Sequence, residues 1–226
     1  MKLQKILSRL QKLHPKEIDL SLDRVLTLCK KLGNPQEKLK CISIVGTNGK
    51  YSTIQAIRAI LKEANINVNI YTSPHIQKIN ERFIYNDKEI SDDNLAKLLL
   101  EVEEINAGEP ITYFEILTAA YFYYAKNYDN INLIESGLFH RFDATNIIKE
   151  NLASIVTAIG FDHLDWLPEY EQTIEKIVFE KTSSLLNSKI IISNQNSSKI
   201  INIIKNNISN NSSKKIIYNE DFSCSV

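Results

Sequence analysis

Residues 41–64 constrain this chain more than any other stretch. An apolar run at 41–45 stops at Gly46. The polar turn Thr47-Asn48-Gly49-Lys50 follows, and Ser52 opens a segment of helical periodicity that runs to residue 64. Strand, glycine turn and helix in that order build a cradle for phosphate. Glycine lets the backbone come close to an anion, and the amides at the helix start face it with the positive end of the helix dipole. Lys50 can reach outer phosphates, and Ser52 can offer a hydroxyl to magnesium. The usual pattern sets Ser or Thr directly after the lysine, whereas here Tyr51 intervenes. The bland reading of the same residues is a plain turn between a strand and a helix.

The rest of the chain repeats this alternation. Apolar residues at helical spacing predict helices over 20–32, 52–64, 92–105, 116–128, 173–186 and 197–208. Short β-rich runs predict strands over 41–45, 67–71, 131–135, 153–159, 189–193 and 215–218. Strands alternating with helices point to an α/β fold, a mainly parallel doubly wound sheet with helices on both faces. Ligands of such sheets sit beyond the carboxyl ends of the strands.

Two strand ends and one helix therefore carry the chemistry to weigh. The run 131–135 ends in Glu135, followed by Ser136-Gly137. A carboxylate at a strand tip near a phosphate loop suits magnesium, a hard cation that prefers oxygen. The run 153–159 leads into Gly160-Phe161-Asp162-His163, which makes His163 a ligand or acid–base candidate. Glu180-Lys181 lies in a helical segment and reads by itself as a solvated face.

Composition excludes some classes. The 226 residues carry 27 basic and 27 acidic side chains, so no charge excess invites nucleic acid. No run of 18 apolar residues exists to span a membrane. Three widely spaced cysteines, Cys29, Cys41 and Cys224, form neither a disulfide framework nor a zinc pattern. A cytoplasmic location is the expectation. The Asn- and Ser-rich stretch 194–212 reads as compositional bias.

Six ordered segments together resemble the folylpolyglutamate synthase/dihydrofolate synthase family of Mur-type ligases. They are Gly46-Thr47-Asn48-Gly49-Lys50 with Ser52; Tyr71-Thr72-Ser73-Pro74-His75 with Asn80-Glu81-Arg82; Thr112-Tyr113-Phe114-Glu115; Glu135-Ser136-Gly137-Leu138 with Arg141-Phe142-Asp143-Ala144-Thr145-Asn146; Asp162-His163; and Glu180-Lys181. The resemblance covers roughly residues 20–195. It implies an ATP-dependent ligase that joins glutamate to a folate or dihydropteroate carboxylate through an acyl phosphate.

The resemblance also assigns roles. Thr47, Asn48, Gly49, Lys50, Ser52 and Thr53 would hold ATP. Ser52 and Glu135 would bind one magnesium ion, and Glu135, His163 and a carbamylated Lys181 a second. Lys50, His163 and Lys181 would carry the chemistry. Ser73, Pro74, His75 and Arg82 would form the folate-side loop. Thr112, Phe114, Asp143 and Ala144 would line a pterin pocket. Three positions depart from the family pattern: Tyr51 and Phe139-His140 replace glycines, and Thr182-Ser183-Ser184 replaces Ala-Gly-Ile.

Family members carry a second, C-terminal α/β domain and are expected to act as monomers. The expectation here is residues 1–226 as an incomplete ATP-binding domain without that partner. Two other readings compete: a catalytically silent nucleotide- or pterin-binding module, and an unrelated P-loop phosphotransferase.

Overall fold

The computed structural model describes residues 2–16 and 19–224. The helices are α1 (Lys2–Leu10), α2 (Asp23–Lys31), α3 (Lys50–Glu63), α4 (Asp92–Asn106), α5 (Tyr113–Ala125), α6 (Ile174–Thr182) and α7 (Ser198–Asn207). The strands are β1 (Lys40–Val45), β2 (Val68–Tyr71), β3 (Phe83–Tyr85), β4 (Lys88–Glu89), β5 (Ile131–Glu135), β6 (Ala153–Val156), β7 (Lys189–Ile192) and β8 (Lys215–Ile217). They form one sheet in the order β4-β3-β2-β5-β1-β6-β7-β8. The pairings along β2-β5-β1-β6-β7-β8 are parallel, and the two pairings of β3, with β2 and with β4, are antiparallel.

Each predicted strand and helix is present, with ends shifted by a few residues. Four helices begin with a Ser or Thr whose hydroxyl accepts from an amide three residues on: Ser91, Thr112, Thr173 and Ser197. Two features went unread in the sequence. The stretch 2–10, where no helix was predicted, is helix α1, which buries Ile6, Leu7 and Leu10. The segment 83–89 is a hairpin turned by Asn86 and Asp87, both at positive φ.

Alternation along the strands decides which face each side chain covers. Ile44 on β1, Ile70 on β2 and Leu133 on β5 pack with Ile54 of α3. Cys41, Tyr71 and Ile134 face the other way, into the larger core under α1, α2, α4 and α5. Val45, Val156, Ile190 and Ile192 pack with α6 and α7. The sheet is thus covered on both sides, as its near-continuous apolar strands require.

From β1 the chain first moves to one side, through α3 to β2. It reaches the other side later, through β6. The carboxyl ends of β1, β5 and β6 therefore meet where the winding direction changes, and the candidate site lies there.

Candidate active site

Gly46 sits at φ 147°, and a Cβ there would stand 2.0 Å from Thr157 Oγ1. The close approach of the loop to β6 demands glycine. Gly49 caps α3 at φ 84°. The loop is pinned differently from the sequence expectation. The amides of Thr47 and Asn48 both donate to the Ala158 carbonyl, at 2.9 and 3.1 Å. Thr47 Oγ1 also bonds Gly160. These two residues anchor the loop to the segment after β6, and their amides are not open to an anion.

The open amides come one step later. Among the described residues, the amides of Gly49, Lys50, Tyr51 and Ser52 find no protein acceptor, as expected at a helix start. Thr53 is half-buried, and its amide already returns to Gly49 O at 2.9 Å. Ser52 is exposed in the first turn, and Tyr51 projects outward, 57% exposed. Tyr51 therefore substitutes for a glycine without filling the cradle.

Lys50 Nζ donates to Gly46 O and Thr47 O, each at 3.2 Å, and stands 3.9 Å from Glu135 Oε1. The other Glu135 oxygen accepts from the Ser73 amide at 3.1 Å. Burial raises the proton affinity of Glu135 above the usual carboxylate range, while the Ser73 amide and Lys50 pull the other way. Ser73 Oγ is buried with no hydrogen-bond partner. A buried carboxylate beside an orphaned hydroxyl is an oxygen-only donor set, and it fits a magnesium ion. The sequence reading places Ser73 only on the substrate side; the structure also sets its buried hydroxyl beside Glu135.

A cavity of about 780 Å³ opens next to these groups. All eight residues predicted for the acceptor pocket line it: Ser73, Pro74, His75, Arg82, Thr112, Phe114, Asp143 and Ala144. His163 and Phe139 line it as well, and Leu3 and Leu7 of α1 supply a wall that the sequence had not suggested. Phe114 stacks on Tyr71, with centroids 6.0 Å apart. Thr112 caps α5 and forms a capping box with Glu115, whose carboxylate Arg24 grips at 3.0 Å through two nitrogens. The 73–82 loop is held by Glu81, which accepts from the amides of Ile76, Gln77 and Lys78. Arg82 donates to His75 Nδ1 at 3.0 Å, and burial followed by Arg82 lowers the His75 pKa.

Asp143 shapes the cavity wall from behind. Its Oδ2 accepts from the amides of Gly137 and Leu138, and its Oδ1 from the amide and hydroxyl of Thr145. Burial raises its pKa, and those four bonds oppose the rise.

The residues predicted for the second metal lie around the same loop: Lys50, beside Glu135, and Lys181 both donate to Gly46 O, and His163 is close enough to feel both their charges. His163 lies at positive φ with Nε2 3.1 Å from Asp162 Oδ2, and burial lowers its pKa. Lys181 is not on a solvated face: it is 1% exposed, and Nζ donates to Gly46 O at 3.2 Å and Leu138 O at 3.0 Å. Among the described residues, no three His, Cys, Asp or Glu side chains cluster to hold a metal. Glu180, next in the chain, binds Arg141 Nε and a terminal nitrogen, both at 2.7 Å.

A doubly wound sheet with a glycine loop at its winding change, a lysine over that loop and a carboxylate on the neighbouring strand defines a domain with the Mur-ligase-type fold. The chain is 38% identical over 169 residues to the dihydrofolate synthase/folylpolyglutamate synthase of Bacillus subtilis, and 34% identical over 169 residues to that of Escherichia coli. It belongs to the folylpolyglutamate synthase/dihydrofolate synthase family. Those matches cover 71% and 74% of this chain, and 38% and 40% of the relatives.

Among solved structures, E. coli FolC in complex with DHPP and ADP superposes with a TM-score of 0.86 at 29% identity, over 99% of this chain and 53% of that one. An FPGS-AMPPCP-folate complex superposes with a TM-score of 0.87 at 27% identity, over 99% of this chain and 55% of that one. The chain thus spans about two fifths of the curated relatives it matches and about half of the solved chains. No protein-family model matches it. No helix among the described residues is long and apolar enough to cross a membrane.

Proposed function

We propose that this chain is the nucleotide- and acceptor-binding part of an ATP-dependent ligase that joins L-glutamate to the carboxylate of a folate or dihydropteroate. One observation carries the reading. Lys50 and Glu135 meet at the strand ends, beside a cavity that all eight predicted acceptor residues line. The relatives' names and the nucleotide, DHPP and folate bound in the solved structures support it.

In this reading the open amides of residues 49–52 and the Lys50 ammonium bind the ATP phosphates. Glu135 and Ser73, with Ser52 nearby in α3, hold magnesium, which when bound neutralises phosphate charge. The acceptor's flat ring lies against Phe114, with its carboxylate directed to the phosphate loop. The carboxylate takes the γ-phosphoryl group, and the glutamate amine then displaces phosphate. Such transfer depends on positioning and charge neutralisation, so no Ser-His or Cys-His pair is required. The substrates are small molecules, neither nucleic acid nor membrane takes part, and the full-length protein is a cytoplasmic monomer.

The second reading, a silent nucleotide- or pterin-binding module, is favoured by one observation. The Phe139 ring, 1% exposed, occupies space beside the cavity where family members carry glycine. Calorimetry tests both readings. The ligase reading expects binding of a non-hydrolysable ATP analogue only with magnesium, then binding of dihydropteroate or folate to that complex. Binding of ligands with no glutamyl transfer by the full-length protein would select the silent module. Absence of all binding would end both.

A further inference from the structure

The backbone ladder between β6 and β7 stops at its carboxyl end, where the Ser193 amide donates to Val156 O at 2.9 Å. Beyond that rung the chain leaves β7 for α7, which Ser197 caps. The segment 157–160 runs on past β6, and its buried Thr157 and Ile159 still need partners for their backbone groups.

Gln195 supplies them. Its Oε1 accepts from the Ile159 amide at 2.9 Å, and its Nε2 donates to Thr157 O and to Ser193 O, each at 3.1 Å. An amide faces the oxygen and two carbonyls face the nitrogen, so the side chain has one workable orientation. In a parallel ladder a residue bonds the carbonyl before and the amide after the residue it faces. The Gln195 side chain makes that pair of bonds around Ala158. It carries the donor and acceptor of a peptide group and stands in for the missing rung.

The other edge of Ala158 holds the phosphate loop. Ala158 O accepts from the amides of Thr47 and Asn48, and the Gly160 amide donates to Thr47 Oγ1 at 3.2 Å. The segment 157–160 is thus a strap with Gln195 on one side and residues 47–48 on the other. Gln195 falls in the Asn- and Ser-rich stretch that reads as compositional bias, yet it is 6% exposed while its neighbours Asn194 and Asn196 are exposed.

We infer that Gln195 is a positioning residue for the phosphate loop: its side-chain amide completes the β6–β7 ladder around Ala158 and so fixes the carbonyl that fastens Thr47 and Asn48. What the loop then binds rests on the nucleotide reading above; the fastening is measurable without nucleotide.

Amide exchange of Thr47 and Asn48 is followed by NMR in the nucleotide-free wild type, Gln195→Leu, Gln195→Glu and, as a surface control, Asn196→Asp. Affinity for a non-hydrolysable ATP analogue with magnesium is measured alongside. Gln195→Leu keeps the bulk and removes all three bonds. Exchange at both amides should rise about tenfold, as for loss of a buried hydrogen bond, with the amides of β2 and β5 unchanged and analogue affinity reduced. Gln195→Glu gives a readout that a general packing role would not move. Ionised, the glutamate accepts from Ile159 but turns an oxygen toward two carbonyls. Protonated, it regains one donor. Burial beside carbonyls raises its pKa above the ordinary carboxylate range. Its exchange ratio to wild type should therefore fall toward one as pH is lowered to about 5, while the Gln195→Leu and Asn196→Asp ratios stay flat.

Unchanged exchange at Thr47 and Asn48 in Gln195→Leu would overturn the inference. So would a uniform rise across the sheet with no recovery of Gln195→Glu at low pH. If Gln195→Leu does not fold, the pH dependence of Gln195→Glu decides alone. A loop that loosens in Gln195→Leu, in a chain whose wild type binds no ATP analogue, would remove the ligase reading and leave the positioning role standing.

Discussion

Lys50 Nζ stands 3.9 Å from Glu135 Oε1, where the start of α3 meets the end of β5. The lysine is also folded back onto the carbonyls of Gly46 and Thr47. Among the described residues, Glu135 is the one carboxylate within 4.0 Å of its ammonium. A bound triphosphate would give the ammonium a stronger partner than two carbonyls.

Lys50→Ala should weaken magnesium–ATP binding by on the order of 2–4 kcal/mol, the usual cost of losing a close charged partner. Calorimetry with an ATP analogue measures it. Equal affinity in wild type and variant would remove the phosphate-loop assignment.

Glu135→Gln separates stability from function. Burial raises the Glu135 pKa above its unfolded value, so the protonated form is favoured by the fold. The stability this adds is present below the ordinary carboxylate range and is lost as pH rises through the raised value. At neutral pH the variant, which cannot ionise, should melt at or above the wild-type temperature. It should also lose the extra stabilisation that magnesium with an ATP analogue gives the wild type. Thermal scans with and without ligand decide, and a variant that keeps the magnesium effect would sink the metal assignment.

Asp143→Asn should destabilise by about 2–3 kcal/mol, because an amide group cannot accept all the bonds that four donors now make to the carboxylate. The NH2 group must face donors on one side. Urea unfolding gives the cost. Pterin affinity should fall with it, since Asp143 supports the Gly137–Leu138 wall.

Arg141→Met should cost roughly 1–3 kcal/mol; the arginine is partly exposed, and Lys176 remains 3.3 Å from the buried Glu180. Burial pushes the Glu180 pKa up, yet the bonds from Arg141 and Lys176 hold it below the usual range. That contribution is present above the unfolded pKa and lost as pH falls through the lowered one. The wild type should therefore lose this increment on acidification, and Arg141→Met should show a flatter acid limb in unfolding measured across pH. Parallel curves would contradict the pairing.

The strands were readable because buried parallel strands need apolar runs of a few residues, and helices α2 to α7 because one apolar stripe recurs at their period. The hairpin 83–89 was missed because two short strands carry almost no periodicity. The Asn86-Asp87 turn was its one available signal. Helix α1 was missed because Lys2, Lys5 and Arg9 gave it the look of a charged surface stretch, while Ile6, Leu7 and Leu10 alone bury it.

The sequence by itself determined the α/β alternation and the glycine loop at 46–49, and its ordered motifs, through their resemblance to a known family, implied residues that line one cavity. Those properties are written locally, in periodicity, turn chemistry and ordered motifs. Only the tertiary structure decided what the groups do to one another. It closed the Thr47 and Asn48 amides with a carbonyl from beyond β6 and left the Ser73 hydroxyl orphaned beside Glu135. It also buried Lys181 against Gly46, 135 residues away in the chain, where a local pattern reads a solvated helix face. Hydrogen-bond satisfaction and burial depend on which strands lie side by side. No stretch of sequence carries that information until the sheet is assembled.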